Sequence, residues 1–335
     1  MREVWMVRLL MFGGLVSLVM HTSAYADYTQ RADVQAYVAE LVAEHGFAAE
    51  ELEDVLSRAQ RKQSILDAIA RPAERTLKWH EYRDIFLKEP RIEQGLAFWA
   101  EHESVLLEAE QRFGVAPEYV VAILGVETRY GRITGGYRVL DALATLGFDY
   151  PPRADFFRRE LTQFLLLARE EGRNPLELTG SYAGAMGYGQ FIPSSYRAYA
   201  VDFDGDGLRD IWNNPRDAVG SIANYFSVHG WRPDGTVAVR VDVAGDAAAE
   251  LANETLELTH TVAELGALGV DVDGLPADAA AALFRMENEE GSEYWLGLNN
   301  FYVITRYNRS RLYALAVHQL GQTIKQRRQA LTAER

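Results

Sequence analysis

Apolar residues along most of this chain recur three and four positions apart, the spacing of helices that bury one face. Val34, Tyr37, Val38, Leu41 and Val42 form one stripe, closed near Gly46. Leu52, Val55, Leu56 and Ala59 form the next. A segment over 77–87 precedes Pro90, and the spacing then predicts one long helix from about Ile92 to Phe113. Trp79, Tyr82 and Trp99 read as core residues on periodicity alone. Pro117 suits a first helical position and Glu118 the positive helix start. Val120, Ile123 and Leu124 continue that helix, and Gly131 reads as its stop. Helices over 139–146 and 153–171 follow, with no strand up to that point. The pattern changes at 232: residues 236–243, 282–286 and 294–297 are β-branched, aromatic or alternating, and read as strands. Helical spacing resumes from Asn299 and ends in Lys325-Gln326-Arg327-Arg328, read as a frayed, solvated tail.

The fold class expected is mainly α (α+β). Four parts are predicted: a targeting segment at 1–26, an N-terminal helical domain at 27–113, a core made of 114–231 and 299–335, and a small inserted α/β domain at 232–298. Residues 1–26 carry Arg2 and Arg8, then an apolar run from Leu9 to Met20, then Ala24-Tyr25-Ala26, a small-x-small cleavage pattern. The run is short for a membrane span, which needs roughly 20 apolar residues. A chain of 335 residues with 48% hydrophobic content can bury a sizeable core. The net charge of −14 argues against a general nucleic-acid binder. The absence of cysteine excludes thiol catalysis, thiolate metal sites and a lipid-modified N-terminal Cys, so no membrane anchor is expected.

Three stretches carry candidate chemistry. In Gly125-Val126-Glu127-Thr128-Arg129-Tyr130-Gly131, Glu127 shares a helix face with Val120, Ile123 and Leu124. A carboxyl on an apolar face is costly to ionise, so its pKa is expected to rise and it can serve as a general acid. The competing reading is a Glu at the stripe's edge, paired with Arg129 or Arg132. Residues 180–193 hold four glycines in ten positions, interleaved with Tyr182, Tyr188 and Gln190. Rings and amides suit sugar recognition, and glycine density equally suits close helix packing. Asp202, Asp204 and Asp206, with Gly207 after the third, match the first half of an EF-hand loop. Leu208 would give a backbone carbonyl, Asn213 stands where a closing Glu is usual, and Asp217 could close a longer loop. The competing reading is a solvated acidic turn.

Together, GVETRYG at 125–131, SYAGAMGYGQFIPSSY at 181–196, VDFDGDG at 201–207, DAVGSIANYF at 217–226 and EYWLGLNNFYVITRYNRS at 293–310 resemble the lytic murein transglycosylase B family. The resemblance covers most of the chain after residue 26, in one order. It implies a lysozyme-like core and cleavage of peptidoglycan between N-acetylmuramic acid and N-acetylglucosamine, leaving a 1,6-anhydro end. It places the catalytic acid/base on Glu127. It places cleft residues on Ser181, Gln190, Tyr225, Tyr307, Asn308 and Tyr313, with Tyr82 and Arg153 as further members. It places a structural calcium on Asp202, Asp204, Asp206, the Leu208 carbonyl and Asp217, with no cofactor for the chemistry. Peptidoglycan strands are the implied partner. A muramidase that uses water, and a non-catalytic peptidoglycan-binding scaffold, are the rival readings. The leader predicts export as a soluble periplasmic protein. N-terminal sequencing of the secreted chain is expected to begin at Asp27, and recovery with residues 1–26 intact would contradict it.

Overall fold

The computed structural model describes residues 28–70 and 77–333. The targeting segment and its cleavage site at Ala26 lie outside the described residues. Among those described, no helix is long and apolar enough to cross a membrane.

After a 3-10 turn at Tyr28–Gln30, the N-terminal half is helical. It comprises α1 (Ala32–His45), α2 (Ala49–Ser57), α3 (Gln63–Ile69), α4 (Trp79–Phe86), α5 (Glu89–Glu101), α6 (Glu103–Phe113) and α7 (Pro117–Thr128). A two-residue strand β1 (Tyr137–Arg138) leads into α8 (Val139–Asp149) and α9 (Ala154–Glu170). Then come β2 (Thr179–Gly180), α10 (Pro193–Tyr199) and α11 (Pro215–Val228). The sheet region holds β3 (Ala238–Val241), α12 (Asp246–Leu251), β4 (His260–Thr261), α13 (Val262–Ala267), β5 (Ala280–Glu287) and β6 (Ser292–Gly297). The chain ends with α14 (Asn299–Tyr307) and α15 (Arg311–Ala333).

Helix α7 is the centre of the packing. Every residue from Pro117 to Gly125 is buried, against α5, α6, α11 and above all α15. The stripe expected from Val120, Ile123 and Leu124 is therefore part of a helix that is buried all round from Pro117 to Gly125, as interior helices are. One continuous core runs from Tyr28 to Ile324 and takes in Trp79, Tyr82 and Trp99. A second, smaller core sits under the sheet, built from Val241, Val262, Leu265, Leu283 and Leu296 among others. That sheet is antiparallel throughout, in the order β3-β6-β5-β4.

Several expectations need correction. The long helix to Phe113 breaks at His102, whose φ of −114° and ψ of 22° end α5 and start α6. The break lets α6 turn onto α7 and α11. Pro90 sits in the first turn of α5, where a missing N–H costs nothing. The pair β1–β2 and strand β4 are two residues long, too short to leave a periodicity. The basic segment at 325–328 is helical, and its charges are paired. Lys325 meets Glu118 at 2.7 Å, Arg327 grips Glu89 through both nitrogens, and Arg328 pairs with Glu103. Those acids lie on α5, α6 and α7, so the tail is pinned by helices that no local signal connects to it.

One buried carboxylate joins the sheet to α4. Glu293 Oε1, on β6, accepts from Trp79 Nε1 of α4 at 2.9 Å and from Trp295 Nε1 at 3.0 Å. Glu293 is only 8% exposed and Trp79 is fully buried. Glu293→Ala would strand a buried indole N–H, and denaturant unfolding is expected to show a loss of about 1–3 kcal/mol. Glu293→Gln, which keeps an acceptor, is expected to lose less.

Candidate functional site

Three successive residues with positive φ follow α7: Arg129 at 54°, Tyr130 at 61° and Gly131 at 79°. The helix thus ends at Thr128, before the glycine expected to stop it, with Arg129 as the left-handed cap. Two non-glycine residues in this region are unfavourable and need fixing from outside. Tyr130 N donates to Leu124 O at 2.8 Å, and Tyr130 Oη donates to Arg91 O at 2.9 Å. Thr128 Oγ1 donates to Tyr188 O at 2.8 Å and accepts from Gly131 N at 2.9 Å. A Cβ on Gly131 would stand 2.0 Å from the Tyr188 ring, so the reversal requires glycine there.

Glu127 precedes this reversal and is half-buried. Its Oε1 accepts from Tyr313 Oη of α15 at 2.5 Å. Tyr313 is 2% exposed; burial first, and the Glu127 charge next, raise its phenol well above the usual range. The same two causes raise Tyr307. Both therefore remain protonated donors at neutral pH. Arg129, one of the two expected partners of Glu127, turns its Nε to Gln94 Oε1 at 2.8 Å, and Arg132 is exposed.

The other expected cleft residues fall into two groups. Tyr307 Oη donates to Gly189 O at 2.5 Å, and Tyr225 Oη donates to Arg306 O at 2.6 Å. Their rings meet edge to face at 4.8 Å. Gln190, at φ 51°, donates from Nε2 to Gly187 O at 2.9 Å and Thr134 O at 3.1 Å. Ser181 Oγ accepts from Ala183 N and Ala185 N at 3.3 and 3.1 Å. The glycine-rich segment therefore packs loop on loop against the end of α7, and much of its polar capacity is used within the protein. Arg153 and Asn308 are elsewhere, on the rim of a cleft of about 1050 Å3 that does not include Glu127 in its lining. Leu312, which lines it, immediately precedes Tyr313. Tyr82 is 3% exposed on α4. The arginines at 285, 309 and 311 on that rim were missed by the sequence reading. Arg285 stands on β5, Arg309 on the link from α14 to α15 and Arg311 at the start of α15, and no spacing marks all three as neighbours.

In the acidic loop, carboxylate oxygens of Asp202, Asp204 and Asp217 lie within 4.8 Å of one another. Asp206 is outside that cluster; its Oδ1 accepts from Leu208 N at 2.8 Å. The N–H groups of Gly207, Gly205 and Asp206 hold the Asp202 carboxyl below its usual range. Asp217 is fully buried, and burial pushes its carboxyl up. Amides of Phe203 and Asp210 oppose that shift, and the Asp204 and Asp202 charges add to it. A hard cation among the three would relieve both the burial and the repulsion.

The family model described as the transglycosylase SLT domain matches residues 29–322. The membrane-bound lytic murein transglycosylase B of Escherichia coli (strain K12) is 44% identical over 308 residues, 89% of this chain and 84% of its own. The crystal structure of the catenated lytic transglycosylase SltB1 from Pseudomonas aeruginosa is similar with a TM-score of 0.87 and 52% identity, covering 90% of this chain and 100% of that one. The Escherichia coli lytic transglycosylase Slt35 in complex with calcium is similar with a TM-score of 0.82 and 44% identity, covering 90% and 95%.

Proposed function

The chain belongs to the SLT-domain lytic transglycosylases, and from that premise we propose that Glu127 is its single acid/base. The protein is a peptidoglycan-cleaving lyase with a lysozyme-like helical fold. The observation that supports the assignment is the Tyr313 hydrogen bond to Glu127 Oε1 at the end of a buried helix. Many glycosidases work with two carboxylates. Here one group serves twice. Protonated Glu127 gives its proton to the glycosidic oxygen as the bond to C1 breaks. The muramic residue's N-acetyl oxygen can stabilise the oxocarbenium-like centre. Glu127, now a carboxylate, takes the proton from that residue's 6-hydroxyl, which attacks C1 and closes the 1,6-anhydro ring. No water is added, and Glu127 ends protonated again. Tyr313 keeps the carboxyl in one rotamer through both transfers, since its own phenol does not titrate near neutrality. Ser181 and Asn308 are the groups we assign to sugar contact. Tyr225, Tyr307 and Gln190 act mainly by holding the wall against the Glu127 turn.

Glu127→Gln keeps the shape and cannot carry the proton. General acid–base catalysis is worth typically ~10²–10⁴-fold, and the loss is expected at the upper end or beyond because one group makes both transfers. Unfolding should be nearly unchanged. Tyr313→Phe is expected to cost less, with the fold retained. Fragments from the parent enzyme should be lighter by one water than a muramidase would release. Substantial activity in Glu127→Gln would place the acid elsewhere, and reducing-end products from the parent would make the protein a hydrolase.

We further propose a structural calcium held by Asp202, Asp204 and Asp217, with Asp206 and the Leu208 carbonyl completing the loop. A cation that binds only the folded state stabilises it by mass action. Melting temperature should rise with calcium and fall with chelator, and Asp204→Ala should abolish the response. Asp217 and Asp202 contribute to the pH dependence with opposite signs, and Asp217 is the buried one. Its folded-state pKa is raised, so the folded state gains from its proton below the ordinary value and loses that gain as pH rises through the raised one. Calcium replaces the proton, so its increment should shrink as pH falls into the carboxyl range. A calcium-independent melting curve at neutral pH would leave only an acidic turn. The leader at 1–26 supports export, and a peptidoglycan substrate fits a soluble periplasmic location.

A further inference from the structure

The carbonyl of Gly125 loses its helical partner where α7 ends. In a continuing α-helix the N–H of residue 129 would bond to the carbonyl of residue 125. Here Arg129 is left-handed, at φ 54°, and its N–H turns to Leu124 O instead. Tyr130 N donates to the same Leu124 oxygen at 2.8 Å. Gly125 O is left over, two residues before Glu127, and Gly125 is buried. A buried carbonyl without a partner is costly. Arg91 of α5 supplies one: its Nη1 donates to Gly125 O.

The same residue holds the other side of the reversal. Arg91 O accepts from Tyr130 Oη at 2.9 Å. That hydroxyl sits in a slot between two glycines: a Cβ at Gly95 would stand 2.5 Å from it, and one at Gly125 2.6 Å from it. Phe98 stacks on the Tyr130 ring with centres 5.9 Å apart, and Gln94 Oε1 accepts from Arg129 Nε at 2.8 Å. Residues 91, 94, 95 and 98 share one face of α5, at helical spacing. That face is a cradle for the turn that follows Glu127. Arg91 is half-buried, with its guanidinium 5.2 Å from the centre of the Phe86 ring. Burial lowers the guanidinium below its usual range, Tyr130 opposes that shift and Arg129 adds to it. The negative end of α7 offsets the cost of a cation in such a place.

We propose that Arg91 is a positioning residue for the acid/base step. By taking Gly125 O, it leaves the reversed exit of the chain with its carbonyl satisfied, where a continued helix would otherwise reclaim that oxygen. Glu127 stands on the turn so held. Arg91 acts through the backbone, and the reacting atoms meet Glu127 rather than Arg91. The proposal rests on the assignment of Glu127 above.

The test is steady-state kinetics on one defined peptidoglycan oligomer, with every rate expressed per folded molecule. Arg91→Met keeps an unbranched stem against Phe86 and removes the donor. Its kcat is expected to fall by about tenfold or more, the size of a hydrogen bond from a charged donor, with KM unchanged. Arg91→Lys restores a cationic donor and should recover part of kcat. Tyr130→Phe cuts the second tie, and its loss should combine with that of Arg91→Met to less than the product of the two. A residue that served stability alone would lower the melting temperature and leave kcat per folded molecule as in the parent. Parent-like kcat in Arg91→Met, a loss confined to KM, or fully multiplicative losses would overturn the proposal. Should Arg91→Met not fold, Gly95→Ala loads the same cradle from the other side, because its Cβ displaces the Tyr130 hydroxyl. It should lower kcat, and adding Tyr130→Phe, which makes room, should lower it no further; an unchanged kcat in Gly95→Ala would count against the cradle. Glu127→Gln is assayed alongside. If it stays active, the acid is elsewhere and this proposal falls with that reading. If it is inactive while Arg91→Met matches the parent, the positioning role alone is wrong.

Discussion

No polar side chain on α7 can reach solvent before its last turn, because the helix is buried from Pro117 through Gly125. That constraint decides where Glu127 can be. One turn earlier, the carboxyl would lie among Val120, Ile123 and Leu124, all fully buried, and its charged form would be prohibitively costly. One turn later the chain is no longer helical and nothing would fix its direction. The last turn is the position that is both held and open to a ligand. The chain must then leave without covering the carboxyl, and the run Arg129-Tyr130-Gly131 does this by reversing at once. Left-handed backbone costs roughly 1–2 kcal/mol at each non-glycine residue. Thr128, Tyr130 and the Tyr188 backbone offset that cost through three hydrogen bonds within and across the turn.

Hydroxyl groups do the rest of the positioning. Tyr313, Tyr307, Tyr225 and Thr128 each send a proton to an acceptor on another segment, mostly a backbone carbonyl. A tyrosine has few rotatable bonds, so such a tie defines geometry at a small entropic cost. Groups fixed before substrate arrives need not reorganise during proton transfer. The Tyr313 tie depends in turn on α15 being in place. Lys325 and Glu118 matter more here than the exposed Arg327–Glu89 pair, since Glu118 is 3% exposed and would be a buried charge without its partner.

What could be read from the sequence was what local chemistry determines. Gly46 closes α1 at φ 63°, and the Val139 helix starts where its stripe starts. The alternating Asp residues gave a loop in which two of them meet Asp217. Glu127 stood out because a carboxylate in an apolar run is locally anomalous. The misses are of another kind. His102 breaks a helix that its own sequence would continue, because α6 has a different packing partner from α5. Arg129 rather than Gly131 takes the first left-handed position, because Gly131 is reserved for contact with Tyr188. The paired basic tail, the two-residue strands and the arginine rim all come from residues tens to hundreds of positions apart. No window on the sequence contains both halves of such an interaction.

The charge distribution shows how these levels combine. At −14 the protein as a whole repels an anionic polymer, so long-range attraction cannot bring the two together. At physiological ionic strength charges are screened beyond about 8 Å, and what a strand meets on contact is the local surface. Around the cleft that surface is arginine-rich, and its arginines form no ion pair among the described residues although acids outnumber bases in the chain. An acidic exterior with a cationic cleft favours dissociation everywhere except where the guanidinium groups are satisfied. Glu127, proposed as the acid/base, stands at the end of a helix buried from Pro117 through Gly125, so its position is fixed by the core and not by what the cleft holds.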